Sequence, residues 1–542
     1  MLSTDTVEAG FAWSEEDWGP KVLHQLVPEA SARWGSDKVL FDYVDEGVRL
    51  TIGGLGAAAR TWARALVSAG VEPGDRVAVA LPGSSLWPVL QVACSEVGAI
   101  VCGINTRYGS HELGTVLGNA EPRVVVTSGS QPGWPFGERL APVLAALPAP
   151  PLTVLVDGAE PDGADWSTVD AFLDRASAPD ALLAERRAAV RPGHTAMIQY
   201  TSGSTGTPKG VELSHDAFLL VSHGMAHVAA YDESDVVYSA LPFYHIGGSI
   251  CTGISPLICG ARMVIPRLFD AARSIEQMIE LGCTATQGHT AMFTMQIDTG
   301  RAAGTLDQLT LRKGWVAAPP RVMRLIVDAL GIEGLVPVYG MSEYGLICAG
   351  SLAEPVDERI SATGLPAPGS EVRLRGSGGG RGPGEVEVRG RQRMTAYRGD
   401  PEATRAALDP DGWLRTGDIG EWDEAGRLHF VGREKEMIKP GGENVAALEV
   451  EEFLAAHPAI EGVVVIGVRD PRLGEAPAAV VALVPGAELD LEEVRRFCAD
   501  RLARFKVPKA LFVEPSLPML ANGKIDRATL AGRYGDHLVE GA

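Results

Sequence analysis

The sequence predicts an α/β protein, with a large N-terminal domain of βαβ-type sheets and a small α+β domain behind it. Three observations point there. Helix-period and strand-like segments alternate from about Leu55 onward, the texture breaks at a glycine-rich stretch between Glu371 and Gly390, and a separate compact pattern begins after "VGREKEMIKPGGEN". The length of 542 residues exceeds what one hydrophobic core organises, and a hydrophobic content of 46% supplies material for more than one.

In chain order, Leu55 to Ala69 is amphipathic and closes at Gly70, "RVAVAL" is a strand, Leu86 to Gly98 is a helix, and "AIVCGIN" and "RVVVTSG" are strands. The same rhythm returns in "VVYSALPF", "ARMVIPR", a helix from Ala271 to Leu281, and "CTATQG". Such repetition predicts mostly parallel, buried strands. "EVRLRGSGGGRGPGEVEVRG" alternates on both sides of a glycine-rich tip, which predicts a hairpin rather than a domain linker. The last segment reads as helix "EVEEFLAAH", strands "GVVVIGV" and "AAVVALV", helix Leu491 to Leu502, and strand "ALFVEP". Charged residues interrupt the pattern near Arg433 to Lys435, so we expect a large domain over 1–432, a hinge over 433–436 and a small domain over 437–542.

Lys plus Arg total 48 against 69 Asp plus Glu, a formal charge of −21. That balance argues against nucleic acid or an anionic membrane surface as the main partner, while a few cations in a cleft can still hold an anionic substrate. Seven scattered cysteines, odd in number and without a C-x-x-C pair, suit a reducing compartment, and the N-terminus shows no secretory pattern. A cytoplasmic location is the expectation. The longest apolar run, Ser249 to Ile265, is broken by Gly, Pro and Arg262 and reads as buried core rather than a membrane span. Oligomeric state is not legible.

"YTSGSTGTPKG", Tyr200 to Gly210, packs five Ser/Thr hydroxyls and three glycines around one lysine. It follows the apolar strand "TAMIQY" and precedes "VELSHDAFLLVSH", whose spacing reads as helical. A turn from a buried strand into a helix would aim backbone N–H groups and a positive dipole end at phosphate oxygens, so a phosphate cradle is favoured over a mere connector. It is neither a Walker A loop, since Gly210 follows Lys209, nor G-x-G-x-x-G.

The run resembles the phosphate loop of the adenylate-forming superfamily, which holds acyl-CoA synthetases, aryl-CoA ligases, peptide-synthetase adenylation domains and firefly-type luciferases. Further stations in the same order extend the resemblance from about Leu55 to Lys524. They are "LPFYHIGG" with His245, "VYGMSEYG" with Glu343, "GWLRTGDIG" with Asp418, "VGREKEMIKPGGENV" with Arg433 and Lys435, and "LANGKIDR" with Lys524. The resemblance implies a small β-barrel-like subdomain within the large domain and a mobile C-terminal domain.

It also implies the chemistry. A carboxylate attacks the α-phosphorus of ATP, pyrophosphate leaves, and a thiol then displaces AMP from the acyl-AMP. Two anions must meet, so electrostatic placement outweighs proton transfer. Lys524 is implied to stabilise the α-phosphate, at about 4 kcal/mol before desolvation for ~4 Å and an effective dielectric of ~20. Glu343 is implied to hold Mg²⁺. Thr201, Ser202, Gly203, Ser204, Thr205, Gly206 and Lys209 would contact the polyphosphate. Ala317, Ala318 and Pro319, with Tyr339, Gly340, Met341 and Ser342, would border the nucleotide, and Asp418 and Arg433 would meet its ribose or phosphate. His245 and Gly340 would line the acyl pocket. Lys435 would be the hinge, Gly441 and Gly442 the face that admits coenzyme A, and Lys439 would lie beside it.

Taken singly, each has a plainer reading: an exposed turn lysine for Lys524, a solvated loop acid for Glu343, a turn-forming acid for Asp418, a packed core histidine for His245. The order of the motifs favours the functional set.

The pattern departs at Val316 and Pro320, in "VAAPP", where the family carries Gly and Leu, and at Met519 and Leu520, where it carries a cation and a hydroxyl; "ENVYP" reads "ENVAA". Overpacking a close-contact site costs roughly 1–3 kcal/mol, which would weaken ATP binding. The leading expectation is an AMP-forming acyl- or aryl-CoA ligase acting on a carboxylic acid, ATP and CoA. Rivals are an enzyme that thioesterifies a preformed acyl-AMP, a ligase that loads a separate carrier protein, a luciferase-like oxygenase, and a non-catalytic nucleotide sensor. Only 18 residues follow Lys524, so a fused carrier is not expected. The Ala- and Gly-rich composition hints at a GC-rich bacterial source and specialised metabolism. The acid itself is not readable.

Overall fold

The computed structural model describes residues 19–130, 135–201, 208–376, 382–438, 440, 445–471, 473–498, 502, 505–520 and 524–539. The chain forms two compact units. The larger comprises Thr6–Val372 and Val388–Leu414; the smaller includes Arg373–Glu387 and Arg415–Ala542.

Two mixed sheets organise the described part of the larger unit. In one, the strand order is Leu365–Pro366, Gly345–Ala349, Gly334–Met341, Lys313–Ala317, Ala285–His289, Val236–Tyr238, Arg262–Ile265, Val39–Tyr43, Val48–Thr51. In the other it is Ala396–Tyr397, Lys209–Ser214, Thr195–Thr201, Ile100–Gly103, Arg76–Ala80, Val124–Thr127, Leu152–Leu155, Ser167–Thr168. Central pairs run parallel and antiparallel pairs lie toward the ends, so the inner strands are continuous apolar runs. Val124–Thr127, for example, is buried at every position.

The expected α/β elements are present. Thr51 caps the helix Ile52–Ser68 by accepting from Gly54 N, and Leu86–Val97 stops where Gly98 adopts φ +77°, a conformation glycine takes without strain. The run from Ser249 to Ile265 supplies the short helix Ser255–Cys259 and the strand Arg262–Ile265. Among the described residues, no helix is long and apolar enough to cross a membrane.

One expectation is corrected. The segment after the Ser/Thr-rich loop is a strand, Lys209–Ser214, paired antiparallel with Thr195–Thr201, and the helix starts only at His215. Val211 and Leu213 are buried two residues apart, a strand period, and the Ser214 hydroxyl accepts from Ala217 N at 3.1 Å, which fixes the helix start there. The described elements that flank the loop are therefore both strands, and the helix expected directly after it starts only at His215.

The strands Glu371–Arg375 and Gly384–Arg389 are sheet neighbours, as the hairpin reading expects. With Leu414–Trp422 and Leu428–Arg433 they make a four-stranded sheet that, among the described residues, does not close into a barrel. The smaller unit also holds a three-stranded sheet: Ile460–Asp470 runs antiparallel to Gly474–Leu483, which runs parallel to Ala510–Glu514. Helices Ala447–Leu454 and Leu491–Cys498 supply Val450, Leu454, Val494 and Cys498 to a core that includes Val465 and Val481 of that sheet.

Candidate active site

In the larger unit, register brings separate motifs to one edge. Strands Ala285–His289, Lys313–Ala317 and Gly334–Met341 are successive parallel neighbours, with His289 opposite Ala317 and Val316 opposite Pro337. Ala317–Ala318–Pro319 and Tyr339–Gly340–Met341–Ser342 therefore leave the sheet side by side, at the carboxyl ends where ligand sites in α/β sheets gather. His289 lies at the same edge and was not singled out in the sequence. Its only local signal is its place as the last residue of a buried strand, before the helix Thr290–Ala303.

Gly334–Met341 turns back into Gly345–Ala349 through Ser342, Glu343 and Tyr344. A Cβ on Gly340 would lie 1.8 Å from Gly345 O, so only glycine permits this turn. Tyr344 is fully buried and donates to Ser370 Oγ (3.1 Å) or Arg389 O (3.0 Å), which anchors the turn from beneath. Glu343, at its apex, is 9% exposed.

Thr201 and Lys209 face each other in register as the two ends of the Ser/Thr-rich loop. Ser202, Gly203, Ser204, Thr205 and Gly206 lie outside the described residues. The short strand Ala396–Tyr397 pairs with Lys209–Ser214, Tyr397 opposite Val211, which makes Lys209 a diagonal neighbour of Tyr397. The Lys209 ammonium lies 4.9 Å from the centre of the Tyr397 ring, and the Tyr397 hydroxyl donates to Glu343 Oε1 at 2.9 Å. Met394 N donates to Glu343 O at 2.7 Å and Arg398 N to Gly210 O at 2.7 Å, so residues 394–398 stitch the Glu343 turn to the loop's outgoing strand. Tyr397 was missed by sequence reasoning. "RMTAYRGD" carries no periodicity that would mark it; its significance comes from pairing across almost 190 residues.

His245 caps the short helix Ile246–Ser249 with its carbonyl, which accepts from Gly248 N and Ser249 N, and its ring meets Tyr244 edge-on at 4.8 Å. The side chain is half-buried. It follows the strand Val236–Tyr238, the parallel neighbour of Ala285–His289.

The departures at Val316 and Pro320 read differently in three dimensions. Val316 is fully buried in an apolar cluster that includes Phe293, Met323 and Ile326. Pro320 occupies the first position of the helix Pro320–Leu330, where its fixed φ is favourable and its missing N–H costs nothing. The expected overpacking at Val316 is therefore corrected: that side chain fills the core.

Within the smaller unit, Asp418 and Arg433 are opposite in register, with Arg433 Nε 3.1 Å from Asp418 Oδ1. Burial foremost, and then the Arg433 charge, lower the Lys524 ammonium below the ordinary lysine value, while the Asp418 and Glu436 carboxylates oppose that shift. Three of the expected residues thus share one electrostatic environment, although more than 100 residues separate Asp418 from Lys524. Lys524 O accepts from Leu520 N at 2.7 Å, and Met519 bridges to Ile525. Lys435 stands in the turn Glu434–Glu436. Lys439, Gly441 and Gly442 lie outside the described residues.

Among the described residues no group of three or more His, Cys, Asp or Glu is arranged to hold a metal ion. A lone carboxylate still suits Mg²⁺, which commonly takes one or two protein carboxylates and completes its shell with phosphate oxygens and water. Glu343, whose Oε1 accepts from the Tyr397 hydroxyl, has the donor chemistry for such a site. The seven cysteines are free thiols, and burial raises Cys102 and Cys251 to about 12, which removes them as nucleophiles.

Comparison with known proteins places this geometry. Residues 27–398 match the AMP-binding enzyme family and residues 449–524 match the AMP-binding enzyme C-terminal domain. The chain belongs to the AMP-binding enzyme family, and so to the adenylate-forming enzymes its motifs resemble. It is 31% identical over 512 residues to a sulfoacetate–CoA ligase of Cupriavidus necator, covering 94% of this chain and 97% of that protein. It is 29% identical over 560 residues to the mitochondrial medium-chain acyl-CoA ligase ACSF2 of Bos taurus, covering 98% and 91%. Among solved structures, ATP-bound MatB from Rhodopseudomonas palustris superposes with a TM-score of 0.79 at 27% identity, covering 95% of this chain and 99% of that one.

Proposed function

We propose that this chain is an ATP-dependent, AMP-forming carboxylic acid–CoA ligase. The observation that carries the proposal is the contact series Lys209–Tyr397–Glu343, which gathers a cation and a carboxylate around one tyrosine at the described end of the Ser/Thr-rich loop. Relatives named as CoA ligases along nearly the whole chain support the thiol acceptor.

In this reading the loop from Thr201 to Lys209 binds the polyphosphate through backbone N–H groups, hydroxyls and the Lys209 charge. Glu343 would hold Mg²⁺, which supplies charge neutralisation on the phosphate oxygens when bound. Ala317 to Pro319 and Tyr339 to Ser342 border the base and the acyl carbonyl, with His245 at the acyl pocket. Asp418 accepts from ribose hydroxyls and Arg433 donates to the nucleotide. The substrate carboxylate oxygen attacks the α-phosphorus; pyrophosphate departs; Lys524 stabilises the developing charge. The thiol of CoA then attacks the acyl carbonyl and AMP departs, with Lys435 in the hinge over 433–436 and Lys439, Gly441 and Gly442 at the thiol's approach. The burial of Val316 removes one ground for a chain impaired in adenylation. We place its site of action in the cytoplasm, a reading supported by the nucleotide substrates proposed here.

The test is a panel of carboxylic acids with ATP, read as AMP and thioester formed, offering CoA in one arm and a phosphopantetheinylated carrier in the other. AMP with acyl-CoA supports the proposal; thioester on the carrier alone, or ATP binding without AMP release by any acid, overturns it.

A further inference from the structure

We propose that Tyr397 is a positioning residue that holds Lys209 and Glu343 at a fixed separation, so that phosphate cation and metal carboxylate are set before ATP arrives. The inference rests on the function proposed above and goes beyond it by naming what keeps two opposite charges from collapsing onto each other.

The geometry supplies both halves. The Tyr397 ring offers its face to the Lys209 ammonium at 4.9 Å, and its hydroxyl reaches Glu343 Oε1 at 2.9 Å, so one rigid side chain spans the gap. Among the described residues Lys209 makes no ion pair. An ammonium and a carboxylate this near would otherwise tend to pair directly, and a paired Lys209 and Glu343 would each be a poorer ligand, for phosphate and for a divalent cation respectively. A cation on a ring face keeps its full charge while its position is fixed. A hydroxyl on one carboxylate oxygen orients the group.

The backbone fixes Tyr397 from both sides. Its N–H donates to Thr404 Oγ1 at 3.0 Å, Thr395 N donates to Glu212 O at 2.9 Å, and Arg398 N to Gly210 O at 2.7 Å. Met394 N meets Glu343 O on the other side. The five-residue stitch therefore registers the loop's outgoing strand against the Glu343 turn, and Tyr397 converts that register into side-chain geometry.

The test uses the full-length protein and direct binding, without acid or CoA. Isothermal titration with ATP in chelator reads the cation, and Mn²⁺ binding in the presence of ATP, followed by electron paramagnetic resonance, reads the carboxylate. Tyr397→Phe keeps the ring and loses the donor: metal-free ATP binding stays within about twofold, and Mn²⁺ binding weakens about tenfold, the scale of a hydrogen bond to a charged group. Tyr397→Leu loses both: metal-free ATP binding also falls, by roughly three- to tenfold. Adding Glu343→Gln to Tyr397→Leu restores metal-free ATP binding, because Lys209 has no carboxylate left to fall on. A merely structural tyrosine would not give that rescue. If Phe and Leu variants behave alike, if Tyr397→Phe binds Mn²⁺ as tightly as the parent, if Tyr397→Leu binds metal-free ATP as tightly as the parent, or if the double variant binds ATP no better than Tyr397→Leu alone, the inference is wrong while the ligase reading stands. If the parent itself binds no ATP, both fall.

Discussion

Asp418 and Arg433 stand opposite each other across two antiparallel strands, 3.1 Å from Nε to Oδ1, with unequal exposure: the carboxylate is 4% accessible and the guanidinium chain 57%. The acid is thus held rigidly and the base has room to turn. Asp418→Asn removes the negative acceptor and preserves the shape, so the ATP dissociation constant should rise about 10- to 100-fold, equivalent to roughly 1.5–3 kcal/mol for hydrogen bonds to a charged group. Arg433→Ala instead withdraws the guanidinium from a buried carboxylate and should lower stability by about 1–3 kcal/mol. Titration calorimetry and urea unfolding separate the two effects. An Asp418→Asn protein with parental ATP affinity would remove Asp418 from the nucleotide site.

Lys524 makes a prediction about alkaline pH. Its pKa lies below the ordinary lysine value, chiefly through burial and then through Arg433. In the proposed mechanism adenylation needs the charged ammonium, so the rate should fall as pH rises through that lowered pKa, earlier than an unperturbed lysine would dictate. Because folding disfavours the proton on this group, the same titration works in favour of stability as pH rises; lost activity there would not reflect unfolding. Lys524→Arg, charged throughout, should move the alkaline limb of ATP–pyrophosphate exchange upward even if the rate drops. Lys524→Ala should abolish exchange yet still transfer a supplied acyl-AMP to CoA. Exchange that persists in Lys524→Ala would contradict the assigned role.

Much of this was legible in the sequence because much of it is local. The helix Leu86–Val97 announces itself by apolar spacing and a terminal glycine, and the strand Val124–Thr127 by three successive valines. The phase after the Ser/Thr-rich loop was misread because Val211 and Leu213 carry a strand period that merges into the helical period of Phe218, Leu219 and Val221; Ser214, a cap residue, marks the change. Glu343 and Asp418 were reachable through motif order. Tyr397 and His289 were not, since their positions come from which strand lies beside which, and sheet pairing at long range leaves no periodic trace.

Val316 tests the reading of the departures. If the valine crowds the nucleotide, Val316→Gly should tighten ATP binding. Its side chain instead packs in the core beside Met323 and Ile326, so the substitution should leave ATP affinity unchanged and cost about 2 kcal/mol or more, from lost burial and added backbone freedom. Urea midpoints and calorimetric ATP titration on the same preparation decide the matter; a tighter dissociation constant would return Val316 to the site.

The final prediction concerns acid. The N-terminal turn is fastened by Leu23 N to His215 Nδ1 (3.5 Å) and by His24, whose N–H donates to Ser95 Oγ at 3.1 Å and whose Nδ1 lies 3.0 Å from Ser95 O. Burial lowers His24 to about 4, the Ser95 backbone bond opposing it and Arg187 reinforcing it. Burial, then His24 and His194, lower His215 to about 3. Both imidazoles are neutral in the folded chain and protonate near 6.5 once unfolded, so below that pH the unfolded state binds more protons. Stability should therefore be complete above pH ~6.5 and decline as pH falls toward 4, by about 1.4 kcal/mol per pH unit for each group. His215→Gln should flatten that slope by one group's share, in urea unfolding measured between pH 7.5 and 5. An identical slope in parent and variant would show that His215 binds its proton alike in both states and contributes nothing to the acid sensitivity.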